Sequence, residues 1–507
     1  MPASISLPPP PAFPGCALPG PLALTRSFGP RQLVLRVPEG DGFELEPAAQ
    51  AVLRRALAGE TENAFAAAAS VPRESRPAET AALAEQVLAP FRDRLERFTG
   101  TGLAGDRAEP RFVSPAWRPP AEFPGGAFAS LPRRRGWLLL VAATARAPDA
   151  SAAWHTWLAI APRPKSETLR RLRPLIAANL AAHGDTSVDA EAGARRAWLD
   201  NATGLQRLAP VLAALDEAGI RSAVIKGLAA AVFDYRDLAL RPMNDFDLAV
   251  PLADRRRAIA VLEAAGFQAH SPCPEAFAHR SHGGAYVRPG HLNLDLHWHA
   301  LWCNCWSGAD DRFWADARRI ELAGAPCHVP SAEFRFLMTC AHGLRHAELP
   351  AHYWIADAAM LLSTHGAALD WDRLLAEARA RRLTRMLREA CGHLATALGA
   401  PIPPEALRAQ RRAPTAAFEN LIFTSFQRRR PGRGAASRAV ASWLNQYRVG
   451  ARGFRPAEIR DFLRYVRLSR GGRPRSRFLR HLAARACVKA ARELRARCAR
   501  ALRRLRR

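Results

Sequence analysis

The sequence predicts an α+β protein in which a small mixed sheet is followed by a helical domain. Between residues 194 and 330, short apolar runs typical of buried strands alternate with stretches of helical periodicity, and Gly219 and Gly266 end two of these helices. After Ser331 the apolar residues recur almost entirely at helical spacing. This spacing predicts helices at 331–348, 351–364, 370–382 and 384–398. Strands interleaved with helices and then helices alone are the pattern of an α+β core with an appended α-domain.

At 507 residues the chain is longer than one hydrophobic core usually supports, so several units are expected. Composition and periodicity divide it as follows: a disordered Pro-rich N-terminus at 1–30, a region of unclear fold at 31–193, the core at 194–330, the helical domain at 331–427 and a basic helical tail at 428–507. Two apolar runs in the second region, at 136–143 and 153–161, fit either paired strands or short helices.

The formal net charge is +28, and most of the excess lies in the tail. Residues 428–507 contain 26 Lys or Arg and three acidic residues. A field of this sign attracts an anionic membrane surface, nucleic acid or an acidic protein, and charge alone does not choose among them. The chain has only three lysines, so Lys226 stands out where arginine would be the default cation.

Cysteine usage and hydropathy predict a cytoplasmic protein. The nine cysteines include no CxxC pair, and they indicate reduced thiols. No uncharged apolar stretch reaches the ~18 residues of a membrane span, so we expect no transmembrane segment. A peripheral membrane contact through the basic tail is an alternative.

Three aspartates form the sharpest motif. In a strand at 244–250, Asp245 and Asp247 point to one face, while Phe246 and Leu248 point to the core. A second strand at 292–297 alternates leucines with Asn293, Asp295 and His297. Neighbouring carboxylates repel unless a cation neutralises them. Such carboxylates bind Mg²⁺ or Mn²⁺, and three of them can hold two metals ~3.5–4 Å apart.

An Asp-x-Asp pair alone is also typical of a solvated strand edge. The residues upstream favour the metal site, because Lys226-Gly227 closes one strand and opens a helix. That geometry brings backbone N–H groups and a cation to a phosphate.

The stretch 220–250, IRSAVIKGLAAAVFDYRDLALRPMNDFDLAV, resembles the bacterial nucleotidyltransferase family usually described as uncharacterised, within the DNA polymerase beta-like superfamily. The resemblance also covers the Asp-Leu-His-Trp run at 295–298 and spans about residues 195–400. The superfamily usually places Gly-Ser or Gly-Gly before its helix, where this chain has Lys226-Gly227.

The resemblance implies a nucleotidyltransferase core and transfer of a nucleoside monophosphate from an NTP to an unknown acceptor, with release of pyrophosphate. Asp245, Asp247 and Asp295 would bind Mg²⁺ or Mn²⁺ and be catalytic. The nucleotide-binding residues would be Lys226, Gly227 and Arg241. His342 and His346 would face a ligand; packing histidines are the alternative.

Two other functions remain open: a catalytically inactive nucleotide-binding or regulatory scaffold of the same fold, and an RNA-modifying nucleotidyltransferase steered by the basic tail. A zinc site at His297-x-His299 and Cys303-x-Cys305 is disfavoured, because the ligand spacing is not that of a known finger or knuckle.

Overall fold

The computed structural model describes part of the chain. Three strands are described through their backbone, at 23–28, 31–36 and 42–45; the remaining described residues are 134–160, 167–188, 191–270, 281–291, 293–344, 352–415, 419–420 and 423. The tail at 428–507 lies outside the described residues.

The three N-terminal strands form an antiparallel sheet: β1 (Ala23–Phe28), β2 (Arg31–Arg36) and β3 (Gly42–Leu45). The first strand falls within the segment predicted to be disordered, so that prediction is wrong for these six residues. It pairs with Arg31–Arg36, which contains the apolar run Leu33–Leu35, and the Pro-rich composition of 1–30 conceals this pairing.

The predicted α+β fold with a mixed sheet is confirmed. Seven strands form one sheet in the order β6-β7-β8-β5-β4-β10-β9. Their bounds are β4 (Ala223–Ile225), β5 (Asp245–Ala249), β6 (Gln268–Ala269), β7 (Gly283–Val287), β8 (Asn293–His297), β9 (Arg318–Leu322) and β10 (Ala325–Val329). The β5–β8 and β4–β10 pairs are parallel and the others antiparallel. The predicted hairpin around Pro289-Gly290 is the β7–β8 pair, whereas β6, β9 and β10 had not been predicted.

Twelve α-helices occur in the described part of the chain. They are α1 (Arg134–Thr144), α2 (Asp149–Ile160), α3 (Glu167–Ala181), α4 (Glu191–Glu217), α5 (Lys226–Ala229), α6 (Arg255–Ala264), α7 (Asp311–Asp316), α8 (Ala332–Gly343), α9 (His352–His365), α10 (Trp371–Ala380), α11 (Thr384–Leu398) and α12 (Pro404–Arg412). The four helices predicted after Ser331 correspond to α8–α11. None of the described helices is long and apolar enough to cross a membrane.

The helix ends follow the residues expected of them. The Ser331 hydroxyl accepts a hydrogen bond from the Phe334 N–H at the start of α8, and the Asp370 carboxylate caps α10 in the same way. At the other end, α11 stops at Gly399, which adopts the left-handed conformation with φ 65°.

The two apolar runs left open between strand and helix are α1 and α2. In α1 every residue from Gly136 to Thr144 is buried, so no polar face reveals a helical period. Helices α1–α3 share one hydrophobic core with α8–α12. A second core lies between the sheet and helices α4 and α6. Helices that precede the sheet in the chain therefore pack against helices that follow it.

Two glycines allow these helices to cross closely. A Cβ atom at Gly343 in α8 would overlap the Trp354 ring of α9, and one at Gly136 in α1 would overlap His352. Gly343 is thus required by packing.

A buried ion pair fixes α8 against the turn that follows β4. The Arg335 guanidinium donates to Asp234 Oδ1 from Nη2 at 2.7 Å, and Nη1 donates to the Pro330 carbonyl at 2.8 Å. Both charged side chains are nine-tenths or more buried. Because each charge has lost its water, removing one partner leaves the other uncompensated.

We expect Arg335→Ala to lower the free energy of unfolding by about 3–5 kcal/mol, the usual cost of breaking a buried pair. Arg196→Ala provides a matched control, because Arg196 pairs with Asp200 while its side chain is 77% exposed. That change should cost less than about 1 kcal/mol. Urea unfolding followed by circular dichroism measures both; equal losses would contradict the assigned role of the Asp234–Arg335 pair.

Candidate active site

The sheet brings two carboxylates together because their strands are neighbours. Strand β5 lies between β4 and β8. Asp247 is paired with Ile225 of β4 on one side and with Asp295 of β8 on the other. Phe246 and Leu248 point the opposite way and are buried. The period-2 alternation of both strands therefore places Asp247 and Asp295 side by side on one face.

Lys226 follows β4 directly, in a strained backbone conformation. Its φ of 49° lies in the left-handed region, which costs a non-glycine residue about 1–2 kcal/mol. Its Nζ atom lies 2.5 Å from Asp247 Oδ1 and 3.2 Å from His297 Nε2. Glycine would adopt this backbone without strain. Backbone strain of this kind clusters at functional sites, so Lys226 is a candidate functional residue.

Asp247, Asp295 and His297 can direct one ligand atom each to a common point. These atoms all lie within 4.8 Å of one another, and His297 Nε2 lies 2.9 Å from Asp247 Oδ1. A single divalent cation with bonds of ~2.0–2.2 Å binds atoms up to about 4.4 Å apart, so small side-chain adjustments suffice. The positively charged Lys226 ammonium already contacts two of these groups, Asp247 and His297. The donor set fits a divalent cation.

Electrostatics at the site are those of crowded carboxylates around one cation. Burial opposes ionisation of Asp247, but the Lys226 charge and a hydrogen bond with His297 hold its pKa well below its usual range. Burial and then the Asp247 charge raise the pKa of Asp295 to about 6. Partial desolvation and then the Asp247 charge also raise the pKa of Asp245, although its side chain still reaches solvent. Lys226 therefore neutralises one carboxylate and leaves its neighbours under-compensated.

Asp245 is placed apart from this group. It begins β5, opposite Asn293 of β8, and it is exposed. Among the described residues, the group of ligand atoms within 4.8 Å contains Asp247, Asp295 and His297, without Asp245. The three predicted aspartates thus share one strand face and interact electrostatically, while the tightest cluster includes a histidine that the sequence analysis had not assigned as a ligand. Its signal was the alternation of Asn293, Asp295 and His297.

Arg241 faces the turn at Gly227 and also pairs with helix α9. Its Nε and Nη2 atoms donate to the two Asp357 oxygens at 2.8 Å each. Burial opposes the Arg241 charge, but the Asp357 carboxylate outweighs it and raises the pKa of Arg241. The Tyr235 hydroxyl donates to the same carboxylate at 2.9 Å. A Cβ atom at Gly227 would lie 2.6 Å from Arg241 Nη1, so only glycine permits this approach.

A shallow cleft opens beside these residues. Its lining comprises Arg171, Leu172, Leu175, Tyr235, Leu240, Arg241, Pro242, Tyr353, Ala356 and Asp357. The Arg171 guanidinium lies 4.6 Å from the centre of the Tyr353 ring, and its charge offsets a small part of the rise in the pKa of Asp245. The cleft therefore combines an apolar wall with two arginines near the start of β5.

The remaining candidate residues lie elsewhere or outside the described part. His342 is half-buried in the last turn of α8, and His346 lies outside the described residues, so their ligand-facing role stays a prediction. His299 lies 3.6 Å from the Asp310 carboxylate, and Cys303 and Cys305 are buried thiols. The two histidines of the zinc pattern therefore contact different carboxylates, His297 that of Asp247 and His299 that of Asp310.

Residues 167–399 match the model of a protein family described as uncharacterised nucleotidyltransferase. No curated protein matches the chain. A solution structure of the antibiotic-resistance factor ANT(2'')-Ia, a protein with substrate-regulated conformation dynamics, aligns at 18% identity over 38% of this chain and 98% of that one. The TM-score of 0.28 is too low to support an argument from this likeness.

The family match begins in α3 and ends with α11, so it includes the sheet, the Lys226 turn and the Asp357 helix. Residues 167–399, somewhat less than half of the chain, are thus similar to a nucleotidyltransferase family.

Proposed function

We propose that the protein is a metal-dependent nucleotidyltransferase that moves a nucleoside monophosphate from an NTP to an acceptor and releases pyrophosphate. One observation carries the proposal: a lysine ammonium, held by a strained turn, sits as the cation between Asp247 and His297 with Asp295 beside them. Buried carboxylates gathered in this way need positive charge, and an NTP supplies its phosphates together with a divalent cation.

In this proposal Asp247 and Asp295 hold the cation, Mg²⁺ or Mn²⁺, and Asp245 extends the same strand face towards the phosphates. A bound divalent cation supplies charge neutralisation and polarisation of the phosphoryl oxygens. Asp295 lies beside Asp247 on the same strand face, where it would complete the metal site and help to activate the acceptor's nucleophile.

The turn at Lys226-Gly227 provides the phosphate contacts. Lys226 can leave Asp247 for a phosphate oxygen once another cation neutralises that carboxylate, because the ammonium is a flexible point charge. Arg241 keeps two nitrogens on Asp357 and presents Nη1 next to Gly227. Together they balance charge that develops on the transferred phosphoryl group, and positioning with charge balance accounts for most of the rate in such reactions.

Two other functions keep the same fold. An inactive scaffold would bind NTP without transferring it, and the pairing of Arg241 with Asp357 favours this reading if the pair never opens. An RNA-modifying enzyme would use the basic tail at 428–507 to contact the acceptor. The tail could equally contact an anionic membrane surface or an acidic protein, and a cytoplasmic location suits each of these partners.

We expect Asp247→Asn to reduce nucleotidyl transfer at least about 100-fold, because even partners of metal ligands account for 10–100-fold effects. The assay incubates the full chain with α-labelled NTP, Mg²⁺ or Mn²⁺ and a lysate, and it follows labelled product and pyrophosphate. Asp200→Asn is the matched control, since Asp200 pairs with Arg196 on an exposed helix surface.

Wild-type activity in Asp247→Asn would contradict the proposed chemistry. Metal-dependent NTP binding by the wild type without any transfer would instead support the scaffold.

Asp295→Asn should stabilise the metal-free protein at pH 8 but not at pH 4. The pKa of Asp295 is raised from 3.8 to about 6, so the folded state binds its proton more tightly than the unfolded chain. Ionisation of Asp295 therefore destabilises the folded wild-type protein. Its free energy of unfolding falls progressively as pH rises from about 4 to about 6. At about 1.4 kcal/mol per pKa unit the whole shift corresponds to about 3 kcal/mol, and because the Asp295 side chain is partly exposed, solvent screening reduces the expected gain at pH 8 to about 1–2 kcal/mol.

Differential scanning fluorimetry in EDTA at both pH values measures this gain, with Asp200→Asn as the reference. A destabilised Asp295→Asn at pH 8 would show that Asp295 is a structural rather than a site carboxylate.

A further inference from the structure

We propose that His297 is a metal ligand through Nε2, which makes this a mixed carboxylate–imidazole site that prefers Mn²⁺ to Mg²⁺. The inference rests on the proposed function, because it requires that Asp247 and Asp295 bind a divalent cation.

The backbone places His297 where a ligand must be. It is two residues beyond Asp295 on β8 and therefore on the same strand face. The β5–β8 register aligns Asp247 with Asp295 and Ala249 with His297. Because Ala249 is small, the imidazole can lean back towards Asp247, and Nε2 comes within 2.9 Å of Oδ1.

The ring is held in this orientation by burial and packing. His297 is 2% exposed, and its ring centre lies 5.2 Å from that of His282. A ligand fixed before binding loses little entropy when a cation arrives, which is how accurate sites are built. A fully solvated histidine would offer no such advantage.

The position of Lys226 shows that Nε2 faces a cationic centre. A lysine ammonium has donors only, so the 3.2 Å separation from Nζ suits an Nε2 atom that presents its lone pair, the tautomer that a bound cation requires, whereas the 2.9 Å contact with Asp247 Oδ1 suits a donated Nε2–H. The other tautomer would donate Nε2–H to Asp247 and only orient that carboxylate. Ligand and orienting group are thus the two roles that an experiment must separate.

Ligand chemistry sets the expected metal. Mg²⁺ prefers oxygen ligands in a strict octahedron and retains waters. Imidazole nitrogen favours the first-row transition metals, and Mn²⁺ accepts both oxygen and nitrogen. Two carboxylates with one imidazole should therefore bind Mn²⁺ more tightly than a carboxylate-only site would, relative to Mg²⁺.

The test measures Mn²⁺ binding to the metal-free full chain by electron paramagnetic resonance, with Mg²⁺ as competitor. Nitrogen coupling to bound Mn²⁺, read by electron spin echo modulation, detects a coordinated imidazole directly in the wild type and needs no variant to fold. We expect this coupling in the wild type and its loss in His297→Gln. The variant should bind Mn²⁺ about 10–100-fold more weakly, while its Mg²⁺ affinity changes by less than about threefold.

His328→Gln is the matched control. His328 lies in β10 of the same sheet, with Nδ1 3.1 Å from the Ser222 carbonyl, outside the metal-binding group. It should keep both the nitrogen coupling and the Mn²⁺ affinity, and melting curves in EDTA confirm that each variant folds.

Bound Mn²⁺ without nitrogen coupling would overturn the role of His297 and leave the carboxylate metal site, and the proposed function, intact. Equal losses of Mn²⁺ and Mg²⁺ affinity in His297→Gln would also overturn it, because an orienting group affects both ions. No Mn²⁺ binding to the wild type, with no change in Asp247→Asn, would overturn the proposed function together with this inference.

Discussion

The structure of the site depends on one electrostatic constraint: two carboxylates face each other from adjacent strands and share too little positive charge. Parallel pairing of β5 and β8 fixes Asp247 beside Asp295, and burial of Asp247 with partial burial of Asp295 removes much of the water that would otherwise screen them. Lys226 supplies one charge, at the expense of a left-handed backbone. The remaining imbalance appears in the pKa of Asp295, raised to about 6. A divalent cation with a phosphate-bearing ligand would remove this imbalance.

The same site is tied to the helical part of the chain. Arg241, just before β5, is held by Asp357 in α9, and Tyr235 donates to the same carboxylate. The buried Asp234–Arg335 pair joins the segment that follows α5 to helix α8. The sheet alone therefore does not position the Lys226 turn, which agrees with a family match that covers both sheet and helices, residues 167–399.

The sequence predicted those features that arise from local periodicity. The two-residue period of polar and apolar side chains predicted that Asp247 and Asp295 lie on the polar faces of their strands. Helical spacing of apolar residues predicted the helices after Ser331. Strand β9 (Arg318–Leu322) was not predicted because most of its residues are charged and exposed, so it shows no clear apolar alternation. Helix α1 was not distinguished from a strand because it is buried on every side. The Arg241–Asp357 pair joins residues 116 positions apart, and a single sequence contains no local signal for such a contact. His297 lay on the correct strand face, but its inclusion in the site depends on how far the ring leans towards Asp247.

The most direct test of this account is a crystal structure of the full chain soaked with MnCl₂ and a non-hydrolysable NTP, with Mn²⁺ located by anomalous scattering. We expect an anomalous peak within bonding distance of Asp247 and Asp295, and Lys226 Nζ moved from the Asp247 carboxylate to a phosphate oxygen. A structure in which NTP binds while Lys226 still pairs with Asp247, with no anomalous peak between the two strands, would contradict the claim that these carboxylates form a cation-binding centre.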